Sequence, residues 1–170
     1  VPSRSLAEAL AKEWQIQGEI IDPSSMPLCK LAATAIDRVR TKRGEVIGIT
    51  LKIAETDLLC YRAIEPPDLV ELQNIEWQPE LDWARQKLGV DLAVTSGVLP
   101  IIQPESSLLT LQQILCELDE YKLMGVTNAA AAAGSLVLSL SMFNDRLNAD
   151  ILFEKSILEE SYQMKKWGLD

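Results

Sequence analysis

Near the end of the chain, the stretch SILEESYQMKKWG (Ser156 to Gly168) sets two acids, an amide and a tryptophan at helical spacing. Carboxylates grouped like Glu159 and Glu160 can serve as general acid and base, ligate a hard cation, or meet a cationic group on a partner. A third carboxylate, Asp57, stands far upstream in ETDLLCYRAIEP, beside Tyr61 and Arg62. The chain contains no histidine. That removes the Ser-His-Asp and Cys-His nucleophile schemes, HExxH metal sites and the commonest general base. An enzyme built on Glu159, Glu160 and Asp57 needs a pocket that gathers them and one carboxyl with a well-raised pKa. A metal site needs a further oxygen ligand, and no motif supplies one.

Asn148 is a good helix cap, and the spacing predicts one helix from there to Trp167. At about 100° per residue, Phe153, Ile157, Met164 and Trp167 fall on one side of it, with Glu160 among them. Ile151, Leu158 and Tyr162 fall nearly opposite, and Glu159 and Gln163 lie at the border of the first side. One core contact cannot satisfy both sides. Burying an unpaired carboxylate costs several kcal/mol, while Ile157 or Met164 returns only about 1.5–3 kcal/mol each. Three outcomes follow for Glu160: an internal Lys or Arg pairs with it, the side stays open until a partner brings a cation, or the acid reaches solvent at the edge of an ordinary core. Lys165 and Lys166 lie mostly on other sides of the helix. A tryptophan with an acid and an amide beside it has the make-up of a binding hot spot. Phe153, Glu159, Glu160, Gln163, Met164 and Trp167 are therefore the candidate partner-binding residues. Asp57, Tyr61 and Arg62 read as a structural polar cluster. Asp57 and Tyr61 are four apart on the third helix, within reach of a hydrogen bond, and Arg62 is placed to join an internal ion pair.

The elements that must position these groups are helical. Ser5 and Glu8 make a capping-box pattern ahead of Leu6, Leu10, Trp14 and Gln17. DPSSMP turns the chain into a second helix whose stripe is Leu28, Leu31, Ala35, Ile36 and Val39. A third runs from Val46 to about Arg62, and Pro66 and Pro67 stop it and open the fourth. That fourth helix carries Leu69, Leu72, Trp77, Leu81, Trp83 and Leu88, with Trp77 and Trp83 read as core and Pro79 expected to kink or divide it. VDLAVTSGVLPIIQP, near residues 90–102, gives the one strand-like signal. Helices resume near Glu105, at Tyr121 to Phe143, and at Asn148. The fold expected is all-α, a single helical domain over residues 1–170, with at most that short β-like excursion.

With 170 residues, 48% hydrophobic and 24% charged, the chain has the make-up of a globular protein able to bury a proper core. A net charge of −9 disfavours nucleic acid and anionic lipid as partners and favours a basic or apolar one. Cys29, Cys60 and Cys116 are an odd number without a CxxC pair, which reads as buried thiols in a reducing compartment. Leu123 to Phe143 is uncharged and long enough to span a bilayer, yet its Ala, Gly, Ser, Thr and Asn content points to a helix buried in its own protein.

Four motifs in order, ETDLLCYRAIEP, LVELQNIEWQPELDWARQKLGV, AAGSLVLSLSMF and SILEESYQMKKWG, resemble the ATP-twelve family of F-type ATP synthase assembly chaperones. AEALAKEW and MPLCKLAATAID extend the resemblance over nearly the whole chain. The resemblance implies a chaperone that is not an enzyme and uses no nucleotide of its own, and together with the residue reading above the expectation is of no cofactor, metal, small-molecule substrate or membrane insertion. Its partner would be the free alpha subunit of the catalytic head, shielded until the beta subunit replaces the chaperone. It implies cytoplasmic localisation in a bacterium, or the mitochondrial matrix in a eukaryote. It also implies a small β-rich N-terminal domain, most of which lies outside this sequence. The family pattern of an acidic pair, a glutamine and Trp-Gly falls on Glu159, Glu160, Gln163, Trp167 and Gly168. A small carboxylate-based enzyme, a structural helical protein and a membrane-associated protein built on Leu123–Phe143 are the alternatives from other classes.

Overall fold

Ser135 to Ser141 are all buried, and the fold is organised around the helix they open. The computed structural model describes residues 1–97 and 99–168. The central pair is α6 (Glu120–Ala133) and α7 (Leu136–Phe143), packed on each other. The apolar run read as one helix is thus two. Gly134, at φ 64°, takes the left-handed conformation that closes α6. The Ser135 hydroxyl then accepts from the Leu138 N–H at 3.1 Å to cap α7. Among the described residues no helix is long and apolar enough to cross a membrane. Hydroxyls inside this core are all engaged: Ser139 donates to the Val126 carbonyl at 2.9 Å, and Thr50 to that of Val46 at 2.8 Å. Thr50 and Thr127 also share a 2.7 Å hydrogen bond that ties α3 (Arg43–Glu55) to α6.

Around this pair the helices close on one another by side-chain capping. α1 (Arg4–Gln15) is capped by Ser3, two residues before the Ser5 expected from the sequence. Glu13, near its end, is buried and accepts from the N–H groups of Leu28 and Cys29, both at 2.8 Å. It therefore caps α2 (Pro27–Thr34), whose own cap residue Met26 has no acceptor. α2 continues through a wide turn, Ala35–Val39, burying Ala35 and Val39 while Leu28 and Ile36 of the expected stripe stay exposed. Arg43, opening α3, donates to the carbonyls of Leu115, Cys116 and Leu118, which end α5 (Glu105–Glu117). Of the three thiols only Cys60 is buried. Cys29 is half-buried, and Cys116, at the solvent side of α5, is exposed.

The third helix stops at Glu55, earlier than the periodicity suggested. A short turn, Leu58–Cys60, leads into β1 (Tyr61–Arg62), which pairs in parallel with β2 (Thr95–Ser96). The strand expected near residues 90–102 is present only at Thr95–Ser96, and its partner comes from residues expected to be helical. α4 (Pro67–Trp83) runs unbroken through Pro79 and on into a wide turn to Leu88. Ile75, whose carbonyl loses its usual donor there, is on the exposed face, open to water. The final helix also divides. α8 (Ala149–Ser156), capped by Asn148, ends where Ile157 leaves helical geometry at φ −109°, ψ 25°, and α9 (Leu158–Trp167) follows.

Candidate functional site: the seat and outer flank of the last two helices

The buried stripe of α4 is Leu69, Gln73, Trp77, Glu80 and Leu81, so two of its five members are polar. They are what α8 and α9 dock on. The Trp77 indole N–H donates to the Lys155 carbonyl at 2.9 Å, near the end of α8. The Lys155 ammonium turns back to the Glu76 carboxylate at 2.9 Å and the Glu76 carbonyl at 2.6 Å, with Glu80 at 3.8 Å. Glu80 is nearly inaccessible and accepts from Arg146 at 2.9 Å and Ser141 at 3.0 Å. Two cations and a hydroxyl thus neutralise and satisfy one buried acid, the condition under which a buried charge is tolerable. Sequence reasoning passed over Gln73, Glu80, Arg146 and Lys155. The available signal was spacing: Gln73 is four residues from both Leu69 and Trp77, and Lys155 lies in the same helical stripe as Ile151, Leu158 and Tyr162.

α9 is fastened along one side only. Leu158 is its one buried residue. Gln73, fully buried, accepts from the Ala63 N–H at 2.8 Å through its amide oxygen, which turns its NH2 towards Glu159 for a hydrogen bond to that carboxylate. Burial raises the Glu159 carboxyl above its ordinary range and the neighbouring charge of Glu160 adds to this, while the Gln73 donor pulls the other way. One turn on, Tyr162 donates to Asp68 of α4 at 2.7 Å.

The other side of α9 is open. Trp167 is 69% exposed, Met164 41%, and Phe153 on α8 59%. Glu160 and Gln163 are exposed as well, and among the described residues no Lys or Arg lies within ion-pairing distance of Glu160. The dilemma of a dry acid therefore falls on Glu159, and Gln73 is its partner. The break at Ile157 also changes the faces: Ile151, expected on the same side as Leu158 and Tyr162, is 40% exposed, and α8 buries Leu152 and Lys155. Ile157 itself is half-buried.

The Asp57 cluster is wired differently from the sequence expectation. Asp57 and Tyr61 share no helix, and the hydrogen bond between them is not formed. Asp57 is completely buried and accepts from the Leu59 N–H and, across the core, from Val137 in the first turn of α7, both at 3.1 Å. Burial pushes its carboxyl up to about 6 against the pull of these donors. Among the described residues Arg62 joins no ion pair. Its guanidinium donates to the carbonyls of Leu59 and Gln73, both at 2.8 Å, and lies 5.4 Å from the Trp77 ring centroid. Asp57 and Glu159 are thus held by separate sets of donors. Among the described residues no three Cys, Asp or Glu side chains are grouped to hold a metal ion.

Comparison with known proteins agrees on one family. The profile described as ATP12 chaperone protein matches residues 1–85. Protein atp12, mitochondrial, of Schizosaccharomyces pombe is 25% identical over 173 residues, which cover 96% of this chain and 60% of that protein. The chain thus spans less than two thirds of the length of that relative. The crystal structure of Atp12 from Paracoccus denitrificans matches all of this chain and 73% of its own, at 36% identity and a TM-score of 0.94. The crystal structure of a protein of Agrobacterium tumefaciens also matches all of this chain, and 64% of its own, at 32% identity and a TM-score of 0.94.

Proposed function

The chain belongs to the ATP12 chaperone family, and from that premise we propose that it assists assembly of the F-type ATP synthase catalytic head by binding the free alpha subunit. The contact surface in this reading is the outer flank of α8 and α9: Phe153, Glu160, Gln163, Met164 and Trp167, with Glu159 beneath them. One observation carries it. The helices that bear these residues are fastened to α4 through buried polar groups, yet they leave a tryptophan, a phenylalanine and a methionine largely in water, with an acid on the same helix as Trp167 and Met164 that no cation among the described residues pairs. Exposed apolar groups with an unpaired acid on the same pair of helices suit a partner that is itself apolar and brings a cation.

The action is steric and uses no catalysis or cofactor. A free alpha subunit exposes the apolar surface meant for its beta neighbour, and covering that surface blocks aggregation. Docking desolvates Glu160, which is favourable only if the client supplies a positive group at that point. A moderate interface of this kind is displaced when the beta subunit offers a larger one. The charge of −9 speeds encounter with a basic client surface and makes it salt-sensitive. The cytoplasm of a bacterium or the mitochondrial matrix of a eukaryote is the matching setting.

Purified alpha subunit tests this directly, by co-elution with the chain and by light scattering on dilution from denaturant. Wild type is expected to form a complex and suppress scattering, and Glu160→Lys to lose both while keeping its circular dichroism and melting temperature. An alpha subunit that neither co-elutes with wild type nor is protected by it refutes the proposal.

A further inference from the structure

Trp167 stands at the last turn of α9 with most of its ring in water, yet two groups lie against it and a third holds those two in place. The Tyr162 ring meets it edge to face, with centroids 6.3 Å apart and an interplanar angle of 85°. The Lys166 ammonium lies 5.7 Å from the Trp167 ring centroid and 5.0 Å from that of Tyr162. Lys166 also donates to the Tyr162 hydroxyl at 2.6 Å, and that hydroxyl donates to Asp68 at 2.7 Å. Asp68 lies in the first turn of α4, where the helix N-terminus favours a carboxylate. The Tyr162 hydroxyl holds its carboxyl below the ordinary range, and Lys166 completes the loop at 3.6 Å.

We infer that Asp68, Tyr162 and Lys166 form a rack that fixes Trp167 in its binding orientation before the client arrives. The inference rests on the outer flank of α9 being the client-binding surface. Exposed ion pairs and solvent-facing aromatic contacts add little to folding stability, so a purely stabilising role leaves this convergence on one exposed indole without a use. Ordering an anchor side chain in advance has one: it removes an entropic cost that binding would otherwise bear. The direction of the chain of contacts fits, since it starts on α4, the rigid seat, and ends on the anchor. Asp68, Tyr162 and Lys166 are therefore positioning residues that act through Trp167.

The test uses the whole chain with two readouts. The 15N heteronuclear NOE of the Trp167 indole N–H, assigned by its disappearance in Trp167→Phe, reports ring order, and titration with purified alpha subunit reports affinity. Lys166→Met, a change at an exposed position, is expected to lower the NOE and weaken affinity about two- to tenfold, the range for losing one pre-ordered side chain. Tyr162→Phe, which keeps the ring and removes the hydroxyl, is expected to shift both in the same direction. Lys166→Arg is expected to restore both. A lowered NOE with unchanged affinity, or an unchanged NOE in Lys166→Met, overturns the rack while leaving alpha-subunit binding intact. Wild type that binds no alpha subunit overturns the rack together with the reading it rests on.

Discussion

The hydrogen bond between Gln73 and Glu159 is the fastening on which the position of α9 most depends, and Gln73→Glu perturbs it with almost no change of shape. In the wild type the buried amide gives its oxygen to Ala63 and its NH2 to Glu159. The substitution keeps an acceptor for Ala63 but sets a second carboxylate against the first. It removes a hydrogen bond to a charged acceptor, worth about 1.5–3 kcal/mol, and adds a buried, unpaired like charge costing several kcal/mol. Against this, α9 is held by one buried apolar side chain, Leu158, contributing about 1.5–3 kcal/mol, and by the half-buried Tyr162 with its exposed hydrogen bond to Asp68, which adds about 1 kcal/mol or less. The repulsion exceeds what docking returns. α9 is therefore expected to leave its seat while the core built on α6 and α7 stays folded. Hydrogen exchange read by mass spectrometry should show lost protection in residues 158–167 and retained protection in residues 136–143. The urea-unfolding free energy should fall by about 1–3 kcal/mol, bounded by the docking contribution. Adding Glu159→Gln reverses donor and acceptor across the same contact and is expected to restore both. Unchanged protection of α9 in Gln73→Glu, or a double variant no better than the single one, refutes this account.

Three further outcomes are expected. The raised carboxyl of Asp57, about 6 in the folded chain against roughly 3.9 unfolded, contributes stability that is complete below the unfolded value and is lost as pH rises through about 6, on the order of 3 kcal/mol. Glu13, Glu45, Asp68 and Glu120, all held low, act in the opposite sense. The difference between wild type and Asp57→Asn in urea unfolding from pH 4 to 7 therefore isolates the Asp57 contribution. Trp77→Phe removes the donor to the Lys155 carbonyl and part of a fully buried ring, and should cost about 2–4 kcal/mol by thermal unfolding. Arg43→Met leaves the three carbonyls at the end of α5 without their donor. A loss of about 1–2 kcal/mol is expected, with faster exchange of the last turn of α5.

What the sequence determined by itself was the class of the fold and the positions where polarity is unusual. Apolar spacing marked helices, Asn148 announced a cap, Pro66 and Pro67 punctuated the chain, and the missing histidines narrowed the chemistry. These are local properties, fixed by residues within a turn or two of one another. The motif order carried the family. The tertiary structure decided where helices break and which polar groups are buried. Gly134 and Ile157 interrupt apolar runs that a uniform 100° rotation reads straight through, and Tyr61 and Arg62 became a strand because Thr95 and Ser96 lie beside them. Gln73, Glu80 and Lys155 look like surface residues in one dimension. Each is buried because its partner, Glu159, Arg146 or Glu76, arrives from a distant segment, 86, 66 and 79 residues away along the chain. Burial of a polar group is favourable only when the complementary group is brought to it, and that pairing is a property of the folded chain alone.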